Sequence, residues 1–336
     1  IRKFMDTYSF MEVETPILQN TYGGANARPF ETHLNAMKQD MFLRISLEIP
    51  LKKLLVSGYD RVFEIGKVFR NEGIDATHNP EFTELEAYVA FWDYRNMMDF
   101  VEEMFETIAL QLNGKTTVEY GEHTIDFKRP WKRAKMVDLV HETCGFKSIP
   151  SKLDLINYLI QNESIPSLLS KNIVKESPNV ELNSDNINQH INPLLTYGQL
   201  ISILFETYVE HNLIQPTHVI DHPIETTPLC KIHREKNDGD RFTIVERFES
   251  FIAAKEVCNS YTELNDPIIQ RQLLEQQQAQ KDSGDQEAHP LDEDFIEALC
   301  SGMPPAAGIG IGLDRMFMLL DGSETIKDVL FFPILN

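Results

Sequence analysis

Apolar residues recur along this chain at two periods, and the switches between them outline the elements. Ile1, Phe4, Met5 and Tyr8 fall at helical spacing, and the run EVETPIL behind them predicts a strand that ends at Pro16. Residues 40–46 (DMFLRIS) predict a strand, 48–56 a short helix and 61–70 a second strand, with turn residues throughout the NEGIDATHNP that follows. In EFTELEAYVAF, alternation places Glu84, Glu86 and Tyr88 on one face and Leu85, Ala87, Val89 and Phe91 on the other. Such a strand covers a core with one side and presents either a polar site or a solvated surface with the other. A long amphipathic helix is predicted over 93–112, and 135–215 is mostly helical around a polar stretch, KESPNVELNSDNINQH. Period-two patterning returns at 217–220 and across 241–264, then comes a strong helix over 266–281. An acidic segment, 282–294, and a glycine-rich turn lead into a final helix. Grouped strands separated by helices predict an α+β fold with an antiparallel sheet flanked by helices, rather than a doubly wound parallel one.

Composition narrows the class. With 336 residues, 42% of them hydrophobic, the chain can bury a large core. It contains no apolar run of membrane-spanning length and no signal-peptide pattern, so a cytoplasmic protein is expected. It begins without a methionine and inside a helical pattern, as a fragment of a longer protein would. Cys144, Cys230, Cys258 and Cys300 are scattered, with no C-x-x-C pair, and are expected as reduced thiols. The net charge of -21 argues against a general RNA binder, because that binding depends on cationic side chains releasing phosphate counterions. Any RNA partner must therefore meet a local basic patch or a separate basic domain.

Three stretches carry candidate chemistry. In FRNEGIDATHNPEF (69–82), Arg70 ends a strand, where a guanidinium can hold a phosphate through paired hydrogen bonds. Phe82 returns on the next strand, placed to stack on a base. Singly, Arg70 fits a surface ion pair as well, and Phe82 a core position. In ERFESFIAAKEVCNSYTELND (246–266), Glu249 and Glu256 flank a turn and are placed to share a divalent cation. Strict alternation puts Glu256 on the opposite face from Asn259, so that pairing requires a bulge; otherwise both are surface carboxylates. GIGIGLDRMFMLL (308–320) looks like a phosphate-binding turn before a helix that carries Arg315, but it lacks the lysine of a P-loop.

Together and in this order, the stretches resemble the three motifs of class II aminoacyl-tRNA synthetases. Residues about 1–18 correspond to the first motif, about 61–91 to the second and about 308–320 to the third. Within that class, GGANARPF, RVFEIGKVFRNEG, THNPEFT, NSYTELNDP and GDQEAHPLDEDFIEAL resemble lysyl-tRNA synthetases. The resemblance covers the whole chain and is weakest between about 150 and 215. It implies a single catalytic domain over 1–336, without the N-terminal anticodon-binding domain, with a helical insertion over about 135–215 and a homodimer built on the first motif.

By the same resemblance, Arg70, Glu72, His78, Phe82 and Arg315 bind ATP, with Arg70 and Arg315 acting on the phosphates. Gly24, Glu48, Glu86, Tyr88, Asn259, Tyr261 and Glu263 form the lysine pocket, and Glu249 and Glu256 hold Mg²⁺. The implied activity makes lysyl-adenylate and pyrophosphate from L-lysine and ATP, then passes lysine to the 3′-end of tRNA(Lys). One departure is Ser46, in RISLEIP, where synthetases carry alanine. It resembles the short paralogue that transfers a lysine-derived group to elongation factor P, an alternative acceptor. A non-catalytic synthetase-like binding protein is a further rival, disfavoured because the ATP residues are all in place.

Overall fold

The computed structural model describes residues 1–148, 150–175, 182–183, 186–235, 242–284 and 287–334. Its centre is an eight-stranded sheet. In chain order the strands are β1 (Met11–Glu12), β2 (Arg61–Phe69), β3 (Glu81–Ala90), β4 (Lys132–Lys135), β5 (Thr217–Ile220), β6 (Arg247–Ile252), β7 (Lys255–Thr262) and β8 (Ala306–Gly312). In space they run β1-β2-β3-β8-β7-β6-β5-β4. Every pair is antiparallel except the two at the edges, β1 with β2 and β4 with β5, which are parallel. The expected α+β architecture is present.

The alternation in β3 decides which side of the sheet is which. Leu85, Ala87 and Val89 join Ala307, Ile309 and Ile311 of β8 in a core shared with α2 (Tyr94–Asn113) and α3 (Leu313–Asp321). Asp93 caps α2 by accepting from Arg95 N and Asn96 N, and Gly114, at φ 70°, ends it in the left-handed conformation. The opposite side of the sheet is partly covered by α1 (Glu48–Val56) and the helices Pro267–Asp282 and Glu293–Cys300, around a second core containing Leu51, Leu55, Leu274 and Phe295. The helical region from Met136 to Val209 has a core of its own, which reaches the sheet through Val219 and Phe251.

Three expectations need correction. EVETPIL is not a continuous strand: pairing is confined to Met11–Glu12 and Leu18–Gln19. Thr15 leaves the ladder because its N–H and hydroxyl both donate to Glu64 Oε2, and Pro16 has no N–H to continue it. Phe91 is not on the apolar face; it lies beyond β3 at φ 65° and is 74% exposed. The glycine-rich segment is no turn but β8, at the heart of the sheet. The hairpin Thr117–Tyr120/His123–Asp126 was not anticipated, its strands being only four residues each. Residue 241, residues 285–286 and most of the stretch 176–185 lie outside the described residues.

A buried ion pair ties the first segment to the sheet. Arg44 Nη1 donates to Glu64 Oε1 at 2.7 Å and to Thr15 O at 3.0 Å, while Nε donates to Lys67 O at 2.8 Å. Both side chains are 3% exposed. Arg44→Met strands Glu64 as a buried charge and is expected to cost about 3–5 kcal/mol in urea unfolding, whereas Arg44→Met with Glu64→Leu should cost clearly less. Equal losses would show that the pair's charges are not what matters.

Candidate active site

Cross-strand register assembles the site. Residues paired across an antiparallel ladder share a face, so a row can be followed from strand to strand. Glu64 of β2 faces Glu86 of β3, Glu86 faces Gly310, Gly310 faces Asn259 of β7, and Asn259 faces Glu249 of β6. One row along, Val62, Tyr88, Gly308, Tyr261 and Arg247 align, and Glu84 lies opposite Gly312. The alternating glycines therefore stand between two strands of long polar side chains and leave a bare floor. A Cβ on Gly308 would collide with the Tyr88 ring and Glu263 Oε1, and one on Gly310 would lie 3.0 Å from Glu84 Oε1.

The bulge required for Glu256 is present. Ser250 pairs with Cys258 but Phe251 pairs with Glu256, so Val257 is the extra residue. That shift brings Glu256 round to the face of Asn259 and Glu249. The hairpin closes through Ala253 and Ala254, at φ 51° and 58°.

The floor opens into a cavity of about 360 Å³. Arg70, Glu72, His78, Phe82 and Arg315 line it, together with Glu249 and Glu256 and with Gly24, Glu48, Glu86, Tyr88, Asn259 and Tyr261. Glu263 alone among the expected site residues is absent from the wall. It is fully buried on the same side of the sheet, packed over Gly308 with Oε2 2.5 Å from Lys52 Nζ. A further cavity of about 530 Å³, toward the helical region, shares Asn26, Thr226, Arg247, Glu249 and Glu256 with the first.

At one end, the Arg70 guanidinium lies over the Phe82 ring, 5.1 Å from its centroid, and Nε donates to Ile45 O. Arg315 donates from Nη1 to Glu256 O at 2.7 Å and from Nη2 to His78 Nε2 at 2.9 Å. With Nε2 accepting, the proton on His78 is at Nδ1, directed at Asp75 Oδ2 at 2.8 Å. Burial and then repulsion from Glu249 push the Glu256 carboxyl up, with Arg315 opposing.

At the other end, Glu86 accepts from Ser46 Oγ, Leu47 N and Tyr88 OH at 2.7, 2.6 and 2.7 Å. Glu48 accepts from Tyr261 OH and from Lys52 Nζ, each at 2.5 Å. Burial, then the charges of Glu84 and Glu48, push Glu86 up to about 8 despite its three donors. This end is thus an enclosed cluster of carboxylates short of positive charge.

The sequence reading missed several wall residues. Glu84 shares the face of Glu86 by alternation, and its Oε2 is buried without a hydrogen bond. Arg247, two residues before Glu249 on β6, donates to Asn259 Oδ1 at 3.0 Å and pairs with Glu249. Ser46, Asn26, His289 and Asp314 also line the cavity. Alternation could have found Arg247, whereas Asn26 and His289 come from irregular segments with no local signal.

A family model described as tRNA synthetases class II (D, K and N) matches residues 1–336, and the chain belongs to that family. Among its relatives it is 50% identical over 345 residues to a lysine--tRNA ligase of Chlamydia caviae, covering 100% of this chain and 61% of that protein. It is 48% identical over 344 residues to the lysine--tRNA ligase of Chlamydia pneumoniae (100% and 60%) and 46% identical over 336 residues to that of Clostridium perfringens (100% and 62%). The chain thus spans about three fifths of the length of these relatives.

A carboxyl raised by the fold binds its proton more tightly in the folded than in the unfolded state. Its contribution is therefore favourable at low pH and lost as pH rises from the ordinary carboxylate range toward about 8. Between pH 5 and 8.5, the ligand-free protein should lose more stability than its Glu86→Gln variant, by on the order of 2 kcal/mol in urea unfolding. Parallel pH profiles would contradict the assignment of that shift to Glu86.

Proposed function

We propose that this chain is the catalytic domain of a lysine--tRNA ligase, activating L-lysine with ATP and passing it to the 3′-end of tRNA(Lys). The observation that carries the reading is one cavity that holds the Arg70 and Arg315 guanidiniums and the Phe82 ring at one end and the carboxylates of Glu48 and Glu86 at the other. The names of the relatives point the same way. On this reading Phe82 carries the adenine, Glu72 and His78 contact the nucleotide, and Arg70 and Arg315 grip the phosphates. Gly24, Glu48, Glu86, Tyr88, Asn259 and Tyr261 surround the lysine, with Glu263 buried beside them over Gly308. A buried ammonium needs compensating negative charge and hydrogen bonds, which this end offers. Amino acids that leave those carboxylates unpaired should be rejected strongly.

The chemistry asks little of the protein beyond placement and charge. The lysine carboxylate is already ionised near neutral pH, so it attacks the α-phosphorus of ATP without a general base, and pyrophosphate leaves as the acyl–phosphate bond forms. Arg70 and Arg315 neutralise charge on the phosphates, and the walls hold the two reactants in line.

Magnesium fits the residues present. Among the described residues no group of three or more His, Cys, Asp or Glu side chains could hold a metal. Magnesium needs no such cage, since it keeps water and phosphate oxygens and takes one or two carboxylates. Glu249 and Glu256 are such a pair, close enough across the bulge to repel each other, with Arg315, Arg247 and Arg70 offsetting the charge of Glu256. When bound there, the ion would add positive charge to the triphosphate.

The chain is read as one domain, with 135–215 as its insertion and residues 1–18 in a homodimer contact. Exposure of Met11, Ile17 and Leu18 supports that contact. Among the described residues no helix is long and apolar enough to cross a membrane. The alternative acceptor, elongation factor P, rested on Ser46. Here Ser46 Oγ donates to Glu86 and accepts from Glu48 N, at the amino-acid end; the names of the relatives favour tRNA as the acceptor.

Arg70→Ala should lower lysine-dependent exchange of pyrophosphate into ATP by about 10³-fold with the fold intact. A variant exchanging at the wild-type rate would overturn the proposed phosphate role and favour a non-catalytic binding protein.

A further inference from the structure

The largest fully buried side chains include a lysine, Lys52, at 0% exposure. It sits one turn after Glu48 on α1, and its Nζ lies 2.5 Å from Glu48 Oε1 and 2.5 Å from Glu263 Oε2. The Tyr261 and Phe295 rings wall it in, at 5.5 and 5.8 Å from Nζ to their centroids. Glu86, by contrast, is held only by uncharged donors: a serine hydroxyl, a backbone N–H and a phenol.

We infer that Lys52 is a positioning residue for amino-acid recognition, its ammonium fixing the geometry and charge of Glu48 and Glu263 before substrate arrives. This deepens the proposed function and rests on it. Two desolvated carboxylates this close repel each other, and without a cation between them one takes up a proton. With Lys52 in place, and Glu86 raised by burial to about 8 and so protonated near neutral pH, two charged carboxylates face one internal ammonium. The pocket is left with room for one more cation, and the side-chain ammonium of the substrate fills that vacancy. Uncharged side chains leave the excess charge unmatched.

The other groups facing this cluster do not supply that cation. From β3 come Glu84, Glu86 and the Tyr88 phenol, from β7 the Tyr261 phenol, and from the segment before β6 the Cys230 thiol, all neutral or negative. His289, ahead of the helix Glu293–Cys300, is pushed down to about 4 by burial and then by Lys52, and stays neutral. Lys52 itself keeps its proton: burial acts to remove it, but Glu263 and Glu48 outweigh that.

The test is pyrophosphate exchange at pH 7 and pH 9 with wild type, Lys52→Met, Glu263→Gln and the double variant. Lys52→Met should raise the KM for lysine about 30-fold at pH 7 while the KM for ATP moves less than about twofold. Its KM relative to wild type should fall about fivefold or more by pH 9, as the unpaired carboxylates lose their protons. Removing the cation and one anion together restores the balance, so the double variant should recover about fivefold over Lys52→Met. A packing role alone predicts the reverse, two lesions worse than one and no recovery with pH, and that result overturns the inference. Glu263→Gln keeps Lys52 and opens no void, so it serves if Lys52→Met does not fold. It should raise the KM for lysine about tenfold at both pH values, and a KM within about twofold of wild type also overturns the inference. A wild type without lysine-dependent exchange defeats the proposed function, and this inference with it. A wild type that responds to lysine, matched by Lys52→Met, defeats the inference alone.

Discussion

Everything at this site depends on a strand whose cavity face is lined by glycines. β8 runs between β3 and β7 with Gly308, Gly310 and Gly312 facing Tyr88, Glu86 and Glu84 on one side, and Gly308 and Gly310 facing Tyr261 and Asn259 on the other. Its intervening residues, Ala307, Ile309 and Ile311, fill the core behind. The same seven-residue strand thus anchors the sheet with one face and leaves open space with the other. Because side chains alternate strictly, a register slip by one residue would bury the glycines and block the cavity floor with isoleucine.

Charge is separated along that floor. At one end guanidinium groups, Arg70 over Phe82 and Arg315 against His78 and Glu256, stand beside the carboxylates of Glu249 and Glu256; at the other, Glu48 and Glu86 have no guanidinium among their hydrogen-bond partners. Out of water such clusters are costly unless matched, and the protein matches them only in part. Lys52 serves Glu48 and Glu263, Arg247 serves Glu249, and Glu84 and Glu86 have no cation within hydrogen-bonding distance. On the proposed reading, that imbalance is what a cationic ligand group would offset.

Much of this was legible from residue pattern. α1 occupies the predicted 48–56, β3 follows the predicted alternation through Ala90, and the bulge demanded by Glu249, Glu256 and Asn259 is found at Val257. The glycine run misled because Gly-x-Gly-x-Gly signals a turn by composition. Only its pairing with two flanking strands makes it a strand, and local sequence does not carry that pairing. Lys52 was overlooked for a related reason. Its spacing of four from Glu48 on a helix reads as a surface pair, and burial came from Phe295 and Glu263, more than two hundred residues away. Asn26 and His289 reach the cavity from irregular segments whose course is set by tertiary packing.

The central claim is that the carboxylate end of the cavity selects a long side chain ending in an ammonium. Titration calorimetry with lysine and with norleucine, which has the same carbon chain and no side-chain ammonium, tests it directly. The account predicts that lysine binds about 10³-fold or more tightly than norleucine, as expected when a polar site is left unpaired. Equal affinities, or tighter binding of norleucine, would contradict it.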